Sequence, residues 1–140
     1  MGDHLLTNIG VYIFLIKEKK VSYFHKPNDP IWCALGGRMS EEDSSCEEAL
    51  LREIREETGI DKLENLKLFS TKLWDINGKN KRLGIFYVSE IKDVEIKLSE
   101  EHDEYNFFTY EEAVKMLSLE SRGKVGLELM EELLNEGYIE

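Results

Sequence analysis

The sequence lacks the features that mark membrane-spanning, secreted and zinc-binding proteins. It has no apolar run of about 18 residues, which a transmembrane helix would need. No basic region precedes an apolar stretch near its start, so we expect no secretory signal. Cys33 and Cys46 are the only cysteines, and neither has a cysteine or histidine at zinc-ligand spacing. We therefore expect reduced thiols in a cytoplasmic protein that does not bind membranes.

Positive charge is also scarce. Lys and Arg number 18 against 29 Asp and Glu, which gives a formal net charge of −11. This balance argues against stable binding to nucleic acid. With 140 residues and no internal repeat or linker, we expect one domain over residues 1–140, as a monomer or homodimer.

Negative charge is concentrated on one short segment, residues 52–60, which reads Arg-Glu-Ile-Arg-Glu-Glu-Thr-Gly-Ile. On a helix, Glu53, Glu56 and Glu57 fall within an arc of about 100°. Like charges at this spacing cost about 0.2–0.5 kcal/mol per pair. A divalent cation is the simplest partner for such a face, and carboxylate oxygens suit Mg²⁺, or Mn²⁺ as its substitute.

The flanking residues predict where this helix begins and ends. Ser45 followed by Glu48 is a capping-box signature for its start. Gly59 is expected to end the helix as a C′ residue. Arg52 lies four residues before Glu56, close enough to hold and orient that carboxylate.

A glycine pair, Gly36-Gly37, directly follows the apolar run 31–35, which we expect to be one short buried strand ending in a glycine turn. The block from these glycines to Ile60 resembles the signature of Nudix (MutT-like) hydrolases. Its second half matches at every specified position. In the first half the loop is one residue longer, and Glu42 or Asp43 stands where the family has Glu.

The flanks predict an α+β protein. The architecture implied by the resemblance is a mixed β-sheet sandwiched between helices. An Asn-Gly hairpin is expected within residues 77–80. The expected strands are 8–16, 21–25, 66–76, 82–91 and 105–109, with a charged turn at 17–20, and the later helices are 110–119, capped by Thr109, and 124–135.

The resemblance implies hydrolysis of a phosphoanhydride bond in a nucleoside diphosphate linked to another moiety, most simply a nucleoside triphosphate or related nucleotide. It implies Mg²⁺ or Mn²⁺ held by the three helix glutamates and by a main-chain carbonyl of Gly36 or Gly37. It also implies a general base, either a motif glutamate or one in a later loop. Among Glu100, Glu101 and Glu104 we choose Glu101 and Glu104, the latter because a following strand can aim it inward.

Other side chains are weaker candidates for a functional role. Trp74, or less favourably Trp32, could stack on a nucleotide base, although core packing is an even or better alternative. His25 and His102 are expected to be solvated and without a role. Two further functions compete with hydrolysis: a non-catalytic nucleotide sensor, and an acidic interaction domain whose helix only resembles the motif.

Overall fold

The structure is a computed structural model, and it describes residues 7–78, 80–119 and 123–140. In that part of the chain a mixed sheet of seven strands lies between three helices. The strands are β1 (Thr7–Lys17), β2 (Lys20–His25), β3 (Trp32–Cys33), β4 (Leu35–Arg38), β5 (Lys67–Asp75), β6 (Lys81–Glu90) and β7 (Glu104–Phe108). The helices are α1 (Cys46–Thr58), α2 (Tyr110–Ser118) and α3 (Gly123–Asn135).

Strand β1 lies at the centre of the sheet and pairs with three other strands. It runs parallel to β6 over ten residue pairs, from Thr7↔Lys81 to Ile16↔Glu90, and antiparallel to β2 and β4. The order is β3-β2-β1-β6-β5, with β4 also paired to β1 and β7 paired to β2. Because parallel and antiparallel pairs both occur, the predicted mixed sheet is confirmed.

Alternation along β1 divides the core into two layers, since successive side chains of a strand point to opposite faces. Val11, Ile13 and Leu15 are buried on the face covered by α1. Phe14 and Ile16 are buried on the face covered by α2 and α3. The expected sandwich of helix, sheet and helices is therefore confirmed.

Most of the expected local elements are found. Glu18 and Lys19 have positive φ angles and close the β1–β2 hairpin. Strands β5 and β6 pair antiparallel up to Asp75↔Lys81, although Lys79 of the predicted Asn-Gly turn lies outside the described residues. Thr109 caps α2 with a complete capping box.

The region around the glycine pair differs from the prediction. Residues 31–35 do not form one buried strand, because β3 is half-buried and β4 starts anew at Leu35. Gly36 and Gly37 are not a turn but lie within β4, opposite Tyr12 and Val11 of β1. Gly36 has a φ of 140°, and a Cβ there would lie 2.1 Å from the carbonyl oxygen of Val11. Close approach of two strands, rather than chain reversal, is thus what requires glycine at this position.

Candidate active site

Helix α1 begins and ends where the sequence predicts. The Ser45 hydroxyl accepts a hydrogen bond from the Glu48 N–H at 3.1 Å. The Glu48 carboxylate accepts from the Ser44 hydroxyl, so the reciprocal half of the expected capping box is replaced by a contact with a neighbouring side chain. Gly59, with a φ of 75°, donates its N–H to the Arg55 carbonyl at 2.9 Å. These two ends fix which residues form the helix, and therefore which face of the helix presents Glu53, Glu56 and Glu57.

Glu57 lies at the floor of the site, against the glycine pair. Only 3% of this residue is exposed. Its Oε2 accepts a hydrogen bond from the Gly36 N–H at 3.2 Å, which ties the helix to β4. Burial raises the pKa of Glu57 to about 9, helped by the hydrogen-bonded Glu101 and by the charge of Glu53. In the absence of a cation, this carboxyl group therefore keeps a proton at neutral pH.

The loop between β6 and β7 brings two more donors to Glu57. One ligand atom from each of Glu57, Glu101 and His102 lies within 4.8 Å of the others. The Ser99 N–H donates to the Glu57 carbonyl at 3.2 Å, which holds this loop against the end of α1. Two carboxyl groups this close need a shared proton or a cation between them.

The expectation that His102 is solvated was wrong, because only 4% of the residue is exposed. Its ring packs against Phe24, with centroids 5.4 Å apart. Burial lowers the pKa of His102, which favours the neutral ring. No periodic pattern could have indicated this placement, because residues 99–103 belong to neither a helix nor a strand.

Glu53 lies over the second glycine. A Cβ on Gly37 would come within 2.9 Å of the Glu53 carboxylate. The carboxylate therefore occupies the space that a side chain at position 37 would fill. Burial is also the main reason that the pKa of Glu53 is raised. Glu53 and Glu57 thus approach β4 side by side, one at each glycine.

Arg52 has a different main partner from the one predicted. It holds Asp43 with two bonds, Nη2–Oδ2 at 3.0 Å and Nε–Oδ1 at 3.2 Å. It also reaches Glu53 at 3.3 Å, whereas the predicted Glu56 is farther away at 3.7 Å. The Ser40 N–H donates to Asp43 at 2.8 Å, and these bonds hold the pKa of Asp43 below its usual value. The longer loop therefore places Asp43 against Arg52.

Three predicted site residues stand apart from the cluster. The Glu56 side chain is 60% exposed at the rim. Glu104 begins β7 and is exposed, so the expectation that the strand aims it inward was wrong. Trp74 packs against Phe86 and Gly84 on the sheet face opposite α1. In the described ranges, the compact donor group is formed by Glu57, Glu101 and His102 rather than by the three helix glutamates.

Replacing Arg52 by Ala is expected to lower turnover about tenfold or more, the scale seen when a group that orients a ligand is lost. The reason is that Arg52 ties the loop residue Asp43 and the carboxylate of Glu53 to one guanidinium. Steady-state kinetics measure the effect. The matched control is Arg55→Ala on the same helix, because among the described residues the ion-pair partner of Arg55 is the exposed Asp61, outside the cluster. Equal turnover in the two variants would contradict an orienting role for Arg52.

The stability of the metal-free protein is expected to fall as pH rises from about 7 to about 9. In this window the unfolded chain has lost the Glu57 proton, while the folded protein, with its pKa at about 9, still binds it. Each pH unit then lowers the free energy of unfolding by at most about 1.4 kcal/mol. His102 and Asp43 do not interfere, since their lowered pKa values affect stability only below this window.

Urea unfolding in excess chelator measures this slope. Glu57→Gln removes the titrating group and is expected to flatten it, and added Mg²⁺ or Mn²⁺ is expected to reverse it in the unchanged protein. A metal-free stability that stays level or rises over the same window would show that Glu57 is ionised in the folded state.

In the part of the chain that the structure describes, every helix is too short or too polar to span a membrane.

A family model described as NUDIX domain matches residues 5–129. The asymmetrical bis(5'-nucleosyl)-tetraphosphatase of Rattus norvegicus is 32% identical over 111 residues, which is 76% of this chain and 69% of the rat protein. The protein of the same name from Mus musculus is 35% identical over 89 residues, or 61% of this chain. That match spans 60% of the mouse protein, less than two thirds of its length.

Solved structures show the same fold. The MutT protein from Methanosarcina mazei Go1 superposes with a TM-score of 0.74 at 23% identity, and the match covers 96% of this chain and 98% of that one. Nudix hydrolases generally use divalent metal ions, which agrees with the acidic cluster described above. Since the family model spans nearly the whole chain and the rat relative supports it, the chain belongs to the Nudix family and is a pyrophosphohydrolase of phosphorus-containing acid anhydrides.

Proposed function

We propose that this enzyme hydrolyses a dinucleoside tetraphosphate asymmetrically, into a nucleoside triphosphate and a nucleoside monophosphate, with Mg²⁺ or Mn²⁺ as its cofactor. The observation that carries the proposal is the carboxylate pair Glu57–Glu101, packed against Gly36 and flanked by Glu53. The substrate class is suggested by the two asymmetrical tetraphosphatases to which the chain is similar.

The residues at this site fit a divalent cation. Glu53 and Glu57 offer carboxylate oxygens, and we assign the main-chain carbonyl of Gly37, next to the Glu53 carboxylate, and the exposed carboxylate of Glu56 as further ligands. When bound, such an ion withdraws charge from phosphate oxygens and lowers the pKa of a coordinated water. It also neutralises an anionic substrate on a protein whose own net charge is −11.

The chain itself supplies orientation and proton transfer. The Gly36 N–H fixes the direction of the Glu57 carboxylate, and Arg52 fixes that of Glu53. Glu101 is hydrogen-bonded to Glu57 and is exposed on its other side. It can therefore accept a proton from the attacking water and release it to solvent. We infer that Glu101, rather than the exposed Glu104 on β7, is the general base.

The alternative functions are separated by different observations. Family membership removes the interaction domain whose helix only resembles the motif. Turnover separates the enzyme from a non-catalytic nucleotide sensor, and the buried glutamate at the glycine pair favours the enzyme. The nucleoside triphosphate expected from the sequence is a competing substrate, which the same assay tests directly.

The experiment compares diadenosine tetraphosphate, ATP and ADP-ribose with Mg²⁺, with Mn²⁺ and with excess chelator, and separates the products by ion-exchange chromatography. We expect AMP and ATP from the tetraphosphate, a higher kcat/KM for it than for ATP, and no turnover in chelator. Two molecules of ADP, or a preference for ATP, would overturn the substrate assignment. Full turnover in chelator would overturn the dependence on a cation.

A further inference from the structure

The imidazole of His102 is unusual because it is buried without adequate hydrogen bonds. Its Nδ1 has no hydrogen-bond partner among the residues that the structure describes. Its Nε2 faces the Cys33 Sγ at 3.8 Å, a long contact with a weak partner. Burying a polar atom without a partner costs free energy. A side chain placed here only for packing against Phe24 would not need to be polar at all.

The position of this imidazole supplies a reason for its polarity. Its ligand atom and those of Glu57 and Glu101 all lie within 4.8 Å of one another. Donors on opposite sides of a metal ion are about 4.2 Å apart when each bond is about 2.1 Å. One ion could therefore bind the imidazole and the Glu57 carboxylate after small side-chain rotations, with the Glu101 carboxylate next to it. The Gly36 N–H binds one side-chain oxygen of Glu57, Oε2, and the Ser99 N–H binds the Glu57 main-chain carbonyl, so neither of these bonds uses Oε1 of Glu57.

We propose that a ring nitrogen of His102 binds the divalent ion together with Glu57, next to the base Glu101, which makes this a mixed nitrogen–oxygen site. The inference rests on the proposed function, since it assigns a further ligand to the metal used there. Mg²⁺ strongly prefers oxygen donors, whereas Mn²⁺, Co²⁺ and Zn²⁺ accept imidazole readily. His102 therefore biases the site toward these transition ions and away from Mg²⁺.

The test uses untagged protein with Mn²⁺ alone as the probe, and pulsed electron paramagnetic resonance as the readout. Direct ligation produces a ¹⁴N coupling to Mn²⁺, which changes to a ¹⁵N coupling when the protein is made with ¹⁵N-histidine. The chain has only three histidines, so His4→Gln with His25→Gln leaves His102 as the sole imidazole. We expect the coupling to persist in that double variant and to disappear in His102→Gln.

A second measurement gives the selectivity. Calorimetric titration of His102→Gln is expected to show Mn²⁺ affinity lowered about tenfold or more, with a smaller change for Mg²⁺. If His102→Gln does not fold, the isotope-labelled double variant decides alone, since it retains His102. Cys33→Ala is expected to keep the nitrogen coupling, because the thiol contacts the ring and is not assigned as a ligand.

Loss of the nitrogen coupling in the double variant, or its absence from the unchanged protein, would overturn the inference. Nucleotide hydrolysis assayed on the same samples keeps this outcome apart from the proposed function. Turnover with no nitrogen coupling would leave the hydrolase in place with oxygen ligands only. Nitrogen coupling with no turnover of any nucleotide would support His102 as a ligand and contradict the substrate proposal.

Discussion

Glu57→Gln is expected to reduce kcat about 10²-fold or more, the scale of losing a well-placed electrostatic contact in an active site. The amide has the same shape as the carboxyl group, so it can still accept the hydrogen bond from the Gly36 N–H. It cannot carry the negative charge that the proposed cation needs. We expect Mg²⁺ affinity, measured by calorimetry, to fall together with turnover.

The same substitution is expected to stabilise the metal-free protein above about pH 7. Glu57 is buried beside Glu101 and near Glu53, so its pKa is about 9 and the chain must take up a proton there on folding. That uptake costs free energy above about pH 7, and the neutral amide does not require it. A higher urea midpoint together with lower activity distinguishes a functional carboxylate from a structural one, because loss of a structural contact lowers stability.

Glu48→Gln is the matched control on the same helix. Glu48 is exposed, and its carboxylate contacts the Ser44 hydroxyl rather than the cluster. Turnover and metal affinity of this variant are expected to stay near those of the unchanged protein. Equal activity in the Glu48 and Glu57 variants, or greater loss at Glu48, would show that the buried face of α1 is not the catalytic face.

The two adjacent glycines are expected to respond to alanine in opposite ways. Gly36→Ala is expected to lower the free energy of unfolding by about 3 kcal/mol or more, because strained backbone and a steric clash act together. Its φ is 140°, and the new Cβ would meet the Val11 carbonyl oxygen, a main-chain atom of the central strand. Urea unfolding measures this loss.

Gly37→Ala is expected to keep the fold and to lose activity. The three atoms nearest to its Cβ would all belong to the Glu53 carboxylate, the flexible end of a side chain, so the carboxylate can move aside. Misplacing a functional group by a fraction of an ångström to one ångström can lower turnover by about tenfold to 10²-fold. A stable Gly37→Ala variant with unchanged kcat would show that the position of Glu53 is not critical. An equal loss of stability in both variants would contradict the assignment of their different contacts.

Much of the fold could be read from local patterns. The helix α1, its Ser45 and Gly59 ends, the β1–β2 hairpin and the Thr109 cap each depend on residues within a few positions of one another. The helix predicted at 124–135 is found as α3, and its apolar residues Met130 and Leu133 are buried. Local hydrogen bonds and helical periodicity are properties of short segments, so the sequence by itself determined these elements.

The chemistry of the site depended on contacts between distant segments. Helical spacing placed Glu53, Glu56 and Glu57 on one face, but only the packing of α1 against β4 decided that Glu57 is buried while Glu56 is exposed. Likewise, only the approach of β1 to β4 made Gly36 a strand residue instead of a turn. Burial depends on how the helices and strands pack together, so a helical wheel cannot predict it.

The loop residues were the least accessible to sequence reasoning. Asp43 meets Arg52 across nine positions, and His102 meets Glu57 across more than forty, in segments that have no periodicity. Thus the sequence by itself determined the Nudix motif, the strands and the helix ends, because these follow from neighbours along the chain. The tertiary structure alone decided which carboxylates face one another and which imidazole joins them, because those distances depend on how the sheet, α1 and the β6–β7 loop pack together.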